Sequence, residues 1–315
     1  MTYQNGSFAT LIILMIFSFL SCEKDNNDSQ LQGEVAVEIT DAPVDDAGVQ
    51  AVFVTIADVR IDGQSLSGFS KTSLDIMAYQ NGNTEMLGAL NLDAKSYSQI
   101  TLVLDYDTDA SGNSPGCYVL DENGNKQPVR STSDEVRISN NFDIIANQTT
   151  QLLIDFDLRK CLTREENPTP QDEYEFVNSN RFNSSLRLVN RNESGVIAGN
   201  CQDFVSNSET LVVFAYRKGT YNRDSEVSGE NDLTFQGAVT SAVVADNGDY
   251  ELHFLEAGEY EIHFAAFEDE DNDGTTELQG TLLLDAISSI DLGAIKVDAQ
   301  ATVTVNILVT GIIPF

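Results

Sequence analysis

From residue 33 onward the chain alternates apolar and polar positions. In Glu34-Val35-Ala36-Val37-Glu38-Ile39 the period is two, the spacing a strand uses to bury one face and wet the other. The same pattern recurs over 51–61, 98–106, 150–158, 186–189, 211–216, 250–254, 259–264 and 301–309. Turn pairs separate these runs: Asp62-Gly63, Asn81-Gly82, Asn123-Gly124, Asn247-Gly248 and Asp273-Gly274, residues that tolerate the left-handed backbone of tight turns. No stretch sustains a 3.6-residue apolar period, and 75–92 has room for one short helical turn and an irregular connection. The expected fold is all-β: two β-sandwich domains, Ig-like or prealbumin-like, in tandem.

Two polar runs break the alternation. Residues 161–185, with Pro168 and Pro170, read as a long loop, and 199–209 as a linker, which divides the chain into 33–200 and 205–315. Inside the second part, Asp249-Tyr250-Glu251-Leu252-His253-Phe254 is echoed by Glu259-Tyr260-Glu261-Ile262-His263-Phe264. With Glu256-Ala257-Gly258 between them, the two strings describe a β-hairpin. Tyr250, Leu252 and Phe254 then share one face, and Glu251 and His253 the other, with Glu261 and His263 equivalent. Each His beside a Glu is either a metal ligand or an ordinary cross-strand partner.

The N-terminus follows a different pattern. Leu11 to Leu20 is unbroken apolar sequence, too short at ~1.5 Å per residue to cross a hydrocarbon core ~30 Å thick. Its length suits the apolar region of a secretory signal peptide, although the ten residues before it lack Lys and Arg. Phe19-Leu20-Ser21-Cys22 resembles the bacterial lipobox, which implies cleavage after residue 21 and acylation of Cys22. Residues 1–21 are then a lipoprotein signal peptide, and 22–32 a lipidated Cys with a flexible, Asn/Asp-rich tether. Glu23-Lys24-Asp25 resembles the export signals that carry some lipoproteins to the exterior of the outer membrane; the alternative is the periplasmic face. Membrane partnership through the lipid on Cys22 is the expected anchor.

Charge narrows the partners further. The 315 residues carry 50 Asp+Glu against 17 Lys+Arg, a formal net charge of −33, which repels phosphate backbones and excludes nucleic acid. With Cys22 lipidated, Cys117, Cys161 and Cys201 remain, and an oxidising compartment allows one pair to close. Of three pairings, Cys161–Cys201 is favoured, because both directly follow apparent strands.

Asp269, Asp271 and Asp273 at alternate positions before Gly274 reproduce the first half of a calcium loop, with Glu277 as a further ligand. Position twelve is Gly280 rather than Glu, so the loop is not an EF-hand; Ca²⁺ is the one cofactor expected. Asp105, Asp107 and Asp109 show the same alternation with a later Gly. Asp155 and Asp157 share a strand face and, with Arg159, form an ionic row. Asp41 before Pro43 reads as a turn former. No GxSxG, HExxH or phosphate-loop string occurs.

Val37-Glu38-Ile39-Thr40-Asp41-Ala42-Pro43, the run 52–60, and Leu153-Ile154-Asp155-Phe156-Asp157-Leu158-Arg159-Lys160 together resemble the family catalogued as domain of unknown function 4382. The resemblance covers about 33–198 and implies a β-rich module of exported bacterial lipoproteins, with no reaction. Asn247-Gly248-Asp249-Tyr250 and Leu255-Glu256-Ala257-Gly258-Glu259-Tyr260 resemble the carboxypeptidase-regulatory or transthyretin-like β-sandwich, usually a spacer or binding module. The expected function is therefore a surface lipoprotein acting as a non-enzymatic binding, adhesion or envelope-assembly module, with an unknown glycan or protein ligand. The alternatives are a glycan-directed hydrolase using paired carboxylates and an accessory subunit of an outer-membrane transport system.

Overall fold

Strand Gln32–Thr40 buries Val35, Val37 and Ile39, as its alternation requires, yet Glu38 and Thr40 on its opposite face are buried too. A strand covered on both faces is a central layer, and the architecture follows from that. The computed structural model describes residues 1–2, 31–41, 49–169, 172–202, 210–228, 233–270, 276–287 and 289–314. Among them Leu31–Phe315 forms one compact unit.

Four strands form the central sheet in the order Leu186–Asn190, Thr149–Phe156, Gln32–Thr40, Glu85–Asp93. The two middle strands run parallel. Its inner face packs against an antiparallel sheet of Lys126–Pro128, Tyr118–Asp121, Val49–Ile61, Ser96–Leu104 and Glu135–Asp143, with Thr72–Asp75 added alongside Val49–Ile61. Val35, Val37, Ile39, Leu152 and Ile154 meet Val52, Val54, Ile56, Ile100 and Leu102 in one core, a sheet-on-sheet sandwich. Ile76–Tyr79 is the expected short helical turn, capped by the Asp75 carboxylate accepting from Met77 N.

The second half begins at Ser194–Gln202 and is one nine-stranded sheet that folds over its own core. Strand Thr210–Arg217 is again covered on both faces. Val213 and Ala215 enter that core, while Val212, Phe214 and Tyr216 form a satellite cluster with Phe235, Ala238 and Phe267.

Four expectations change here. The irregular connection expected within 75–92 is, from Glu85, the strand Glu85–Asp93. The run 161–185 is not a loop: it contains the hairpin Leu162–Thr169 with Asp172–Phe176 and the helix Ser179–Ser185. Residues 199–202 lie inside a strand, and 203–209 fall outside the described residues. Asp249–Glu256 and Gly258–Glu268 are not hairpin partners. The first pairs with Ser194–Gln202, and the second with Thr210–Arg217 and Glu277–Ala286. The link at Ala257 is an arch between opposing layers, so Tyr250 and Phe264 meet edge to face across the core at 5.3 Å. Phe254 has φ 55° and sits at a bulge; its side chain leaves the inward row and Leu255 replaces it there.

Candidate functional site

The outer face of the central sheet carries an unusual row. Register places Thr40 beside Asp155 and Asp155 beside Arg187, and Glu38 beside Leu153 and Leu153 beside Val189. An outer face open to water needs no buried polar side chains. Here Glu38, Thr40, Asp41, Asp155, Asp157 and Arg159 are all buried, because the second half covers them. Buried charges are tolerated only when paired and hydrogen-bonded, and each finds partners.

Arg187 donates from Nε (3.2 Å) and Nη2 (2.6 Å) to Asp155 Oδ2 and from Nη1 to the Phe254 carbonyl at 2.7 Å. The positive φ of Phe254 is part of the bulge at this contact. Arg159 donates from Nη1 to the carbonyls of Thr234 (2.9 Å) and Phe235 (2.7 Å), and from Nη2 to Asp157 Oδ2 (3.3 Å). Its guanidinium lies 5.3 Å from the centre of the Phe214 ring. Lys160 donates to the Ala238 carbonyl at 2.5 Å and sits 3.1 Å from Asp157. Glu38 accepts from Arg191 at 2.5 Å. The first half thus grips backbone carbonyls of the second through three cations.

Asp41 anchors the other end. Its Oδ1 accepts from Leu158 N (3.3 Å) and its Oδ2 from Gln80 Nε2 (3.2 Å). Burial pushes its carboxyl well above the usual range; those hydrogen bonds oppose the shift, and the nearby Asp157 and Asp155 charges add to it. Burial also lowers the Lys160 ammonium against the pull of Asp157. Thr40, Asp41, Asp155, Glu251 and His253 surround a cavity of about 20 Å³, space for roughly one water.

The ionic row expected at Asp155, Asp157 and Arg159 is therefore divided. The strand ends at Phe156, Asp157 precedes the helical turn Leu158–Cys161, and Asp155 takes Arg187 instead of Arg159. Asp41 does more than form a turn, since it ties the strand end to Leu158 and Gln80. Cys161 and Cys201 do not form the expected disulfide: Cys161 is a buried thiol in the first core and Cys201 lies in the second. Burial pushes the Cys161 thiol up, and the Cys117 thiol up to about 12.

His253 and His263 lie on strands that do not pair. His253 sits 2.9 Å from Glu251 and covers Gly82, where an added Cβ would come within 2.7 Å of the ring. His263 stacks on Tyr221 at 3.6 Å, and burial lowers its pKa. In the Asp105 loop, Lys71 already holds Asp105 at 2.7 Å, and Asp109 accepts from Ser111 N and Asn113 N at 2.8 Å. Among the described residues no cluster of three or more His, Cys, Asp or Glu is placed to hold a metal. Cys22, Asp271 and Asp273 lie outside the described residues. Of the other two calcium candidates, Glu277 accepts from Glu270 N at 3.2 Å, next in the chain to Asp269. Sequence reasoning missed Glu38, Lys160, Arg187 and Arg191. For Glu38 and Arg187 the one signal is a polar residue on the second face of an otherwise apolar strand; Lys160 and Arg191 lie in short helical turns and carry none.

Fold and junction together define an all-β protein of two sheet assemblies joined through a buried ionic contact. Residues 32–177 match the family described as Domain of unknown function (DUF4382). Both signature strings fall inside that match, which ends short of the expected 198. No curated protein matches the chain. Among solved structures, the chain is similar to the Bacillus anthracis TIE protein at 11% identity and TM-score 0.20, over 88% of this chain and 34% of that one. BcpA, the major pilin subunit of Bacillus cereus, is similar at 10% identity and TM-score 0.21, over 88% of this chain and 70% of that one. GBS52, the minor pilin of Streptococcus agalactiae, is similar at 10% identity and TM-score 0.20, over 89% and 99%. The chain spans about a third of the length of the first of these. Such distant likenesses carry no argument about function.

Proposed function

We propose that this chain is an envelope lipoprotein, anchored by acyl chains on Cys22 and facing the exterior, that works as a non-enzymatic binding module held in one fixed shape. The observation that carries the reading is the junction. The carboxylates of both signature strings are engaged by Arg159, Lys160, Arg187, Gln80 and backbone N–H groups, which suits holding two sheet assemblies together. The hydrolase alternative has one observation in its favour, the raised Asp41 carboxyl near Asp155. The cavity they line is about 20 Å³, far below the ~300 Å³ of small ligand sites. No helix among the described residues is long and apolar enough to cross a membrane; the proposed anchor rests on the apolar run Leu11 to Leu20 followed by Ser21-Cys22. Calcium at Asp269, Asp271, Asp273 and Glu277 is a second, structural part of the proposal.

Three measurements test it. A fatty-acid analogue should label the wild type and not Cys22→Ala. Protease added to intact cells should degrade the protein; full protection would place it on the periplasmic face. Excess Ca²⁺ should raise the melting temperature relative to chelator, and Asp271→Ala should abolish the rise; equal melting would reduce the loop to a solvated acidic turn.

A further inference from the structure

Beside the junction a cleft of about 320 Å³ opens between Glu135–Asp143 and Leu186–Asn190 on one side and Arg217, Val239 and Glu256 on the other. The two strands are edges of different sheets and share no ladder. A single side-chain bond bridges them, Asn140 Nδ2 to the Leu188 carbonyl at 3.0 Å. The second half completes the cleft, and ligand sites gather at such boundaries between packed units.

The charge here differs from that of the chain. Against a net −33, the lining brings Lys160, Arg187 and Arg217 together with Asp155, Asp157 and Glu256. Three cations offset three carboxylates. Each pair is made within the protein: Arg187 with Asp155 at 2.6 Å, Lys160 with Asp157 at 3.1 Å, Arg217 with Glu256 at 2.5 Å. An anionic ligand finds no spare cation, and a cationic one finds no spare carboxylate. Hydrogen-bonding capacity does remain. At the mouth the Arg217–Glu256 pair is 38% and 43% exposed, and Ser139 and Asn140 are exposed. A hydroxyl matches this set, because one O–H donates to a carboxylate while its oxygen accepts from a guanidinium. Ile138 and Val239 add aliphatic surface to the wall. The volume lies at the low end of the ~300–1,000 Å³ range of small-ligand sites, which limits the occupant to a small molecule.

We infer that this cleft binds a neutral saccharide of one or two sugar rings. The inference rests on the binding-module reading, but its test needs no anchor, so its failure leaves surface exposure and lipidation untouched. The chain from residue 23 onward retains the whole described fold from Leu31 and is the protein to use. Probes are free glucose, galactose, mannose and N-acetylglucosamine and their disaccharides, with glucuronate and a neutral dipeptide as counter-probes. Binding is read by saturation-transfer NMR and titration calorimetry. At least one neutral sugar should bind, and Ser139→Trp, which fills the mouth from an exposed position, should abolish its signal with the melting temperature unchanged. Glu256→Gln should weaken binding about 10-fold or more, as expected for loss of a charged acceptor. Failure of every neutral sugar to bind overturns the inference. So does binding that survives Ser139→Trp, or binding of glucuronate or the dipeptide alone.

Discussion

Replacing Arg159 with Ala removes the side chain that spans the junction most fully. Arg159 is 7% exposed, so water does not easily take over its contacts. The Thr234 carbonyl loses its donor, the Phe235 carbonyl keeps only Ala238 N at 3.2 Å, and Asp157 keeps Lys160 as its one remaining cation among the described residues. Each buried acceptor left without a donor costs about 1–3 kcal/mol. Removing one partner of a buried ion pair costs about 3–5 kcal/mol. These contacts form one network and do not add independently, so we expect a total near 3–5 kcal/mol. Arg60→Ala is the control: Arg60 also pairs with two carboxylates, Asp58 and Glu135, but its side chain is 33% exposed, and its loss should cost far less, because water takes over the contacts of an exposed ion pair. Urea denaturation measures both, with the slope checked for constancy so that midpoints report stability. Hydrogen exchange should place the Arg159→Ala loss in 233–243, where its acceptors and the adjoining strand lie. Equal costs for the two variants would mean that the junction contributes nothing beyond a surface ion pair.

Three further outcomes follow from individual residues. Asp41 has a raised folded-state pKa, so the native state holds its proton more tightly and stability falls as pH rises above the unfolded carboxylate value near ~4. Asp41→Asn, with the Gln80 amide turned to accept, should be more stable than wild type at pH 7 and lose that advantage near pH 3; a variant less stable at pH 7 refutes this. His263 has a lowered folded-state pKa, so its neutral form is favoured by folding and stability is lost as pH falls below ~6.5. His263→Phe keeps the stack on Tyr221 without a titrating group, and its melting temperature should fall less than that of wild type between pH 8 and pH 5. At Gly199 an added Cβ would lie 1.7 Å from the Val305 carbonyl oxygen. Gly199→Ala should therefore cost about 1–3 kcal/mol or more, and a variant with wild-type stability would show that this approach of Ser194–Gln202 to Val305 is looser than described.

Strands with long apolar alternation were legible, whereas Tyr118–Asp121, Glu85–Asp93 and Glu135–Asp143, which bury few apolar residues each, were not. The runs 34–39, 51–61, 98–106 and 150–158 appear as Gln32–Thr40, Val49–Ile61, Ser96–Leu104 and Thr149–Phe156. The polar run 161–185 hid its structure because its apolar residues are few and widely spaced, although every one described is buried. Leu162, Tyr174 and Phe176 hold the hairpin in the core, and Phe182 holds the helix, which Asn178 caps by accepting from Arg181 N. The echo at 249–264 concealed an arch because a short link suits either geometry. What decides between them is Ser194–Gln202, a partner some fifty residues earlier. The junction was least legible of all. Its signature residues stood out as strings, but Arg187 lies 32 residues from Asp155 and Arg191 lies 153 from Glu38. Local periodicity carries no information about pairs at such separations.

Differential scanning calorimetry of the chain from residue 23 onward tests most directly whether the buried junction makes the two sheet assemblies one cooperative unit. Wild type should unfold in a single transition whose calorimetric and van't Hoff enthalpies agree. Arg159→Ala combined with Arg187→Ala removes the grip on the Thr234, Phe235 and Phe254 carbonyls, and should split that transition in two. Two separate transitions in wild type, or one unchanged transition in the double variant, would contradict it.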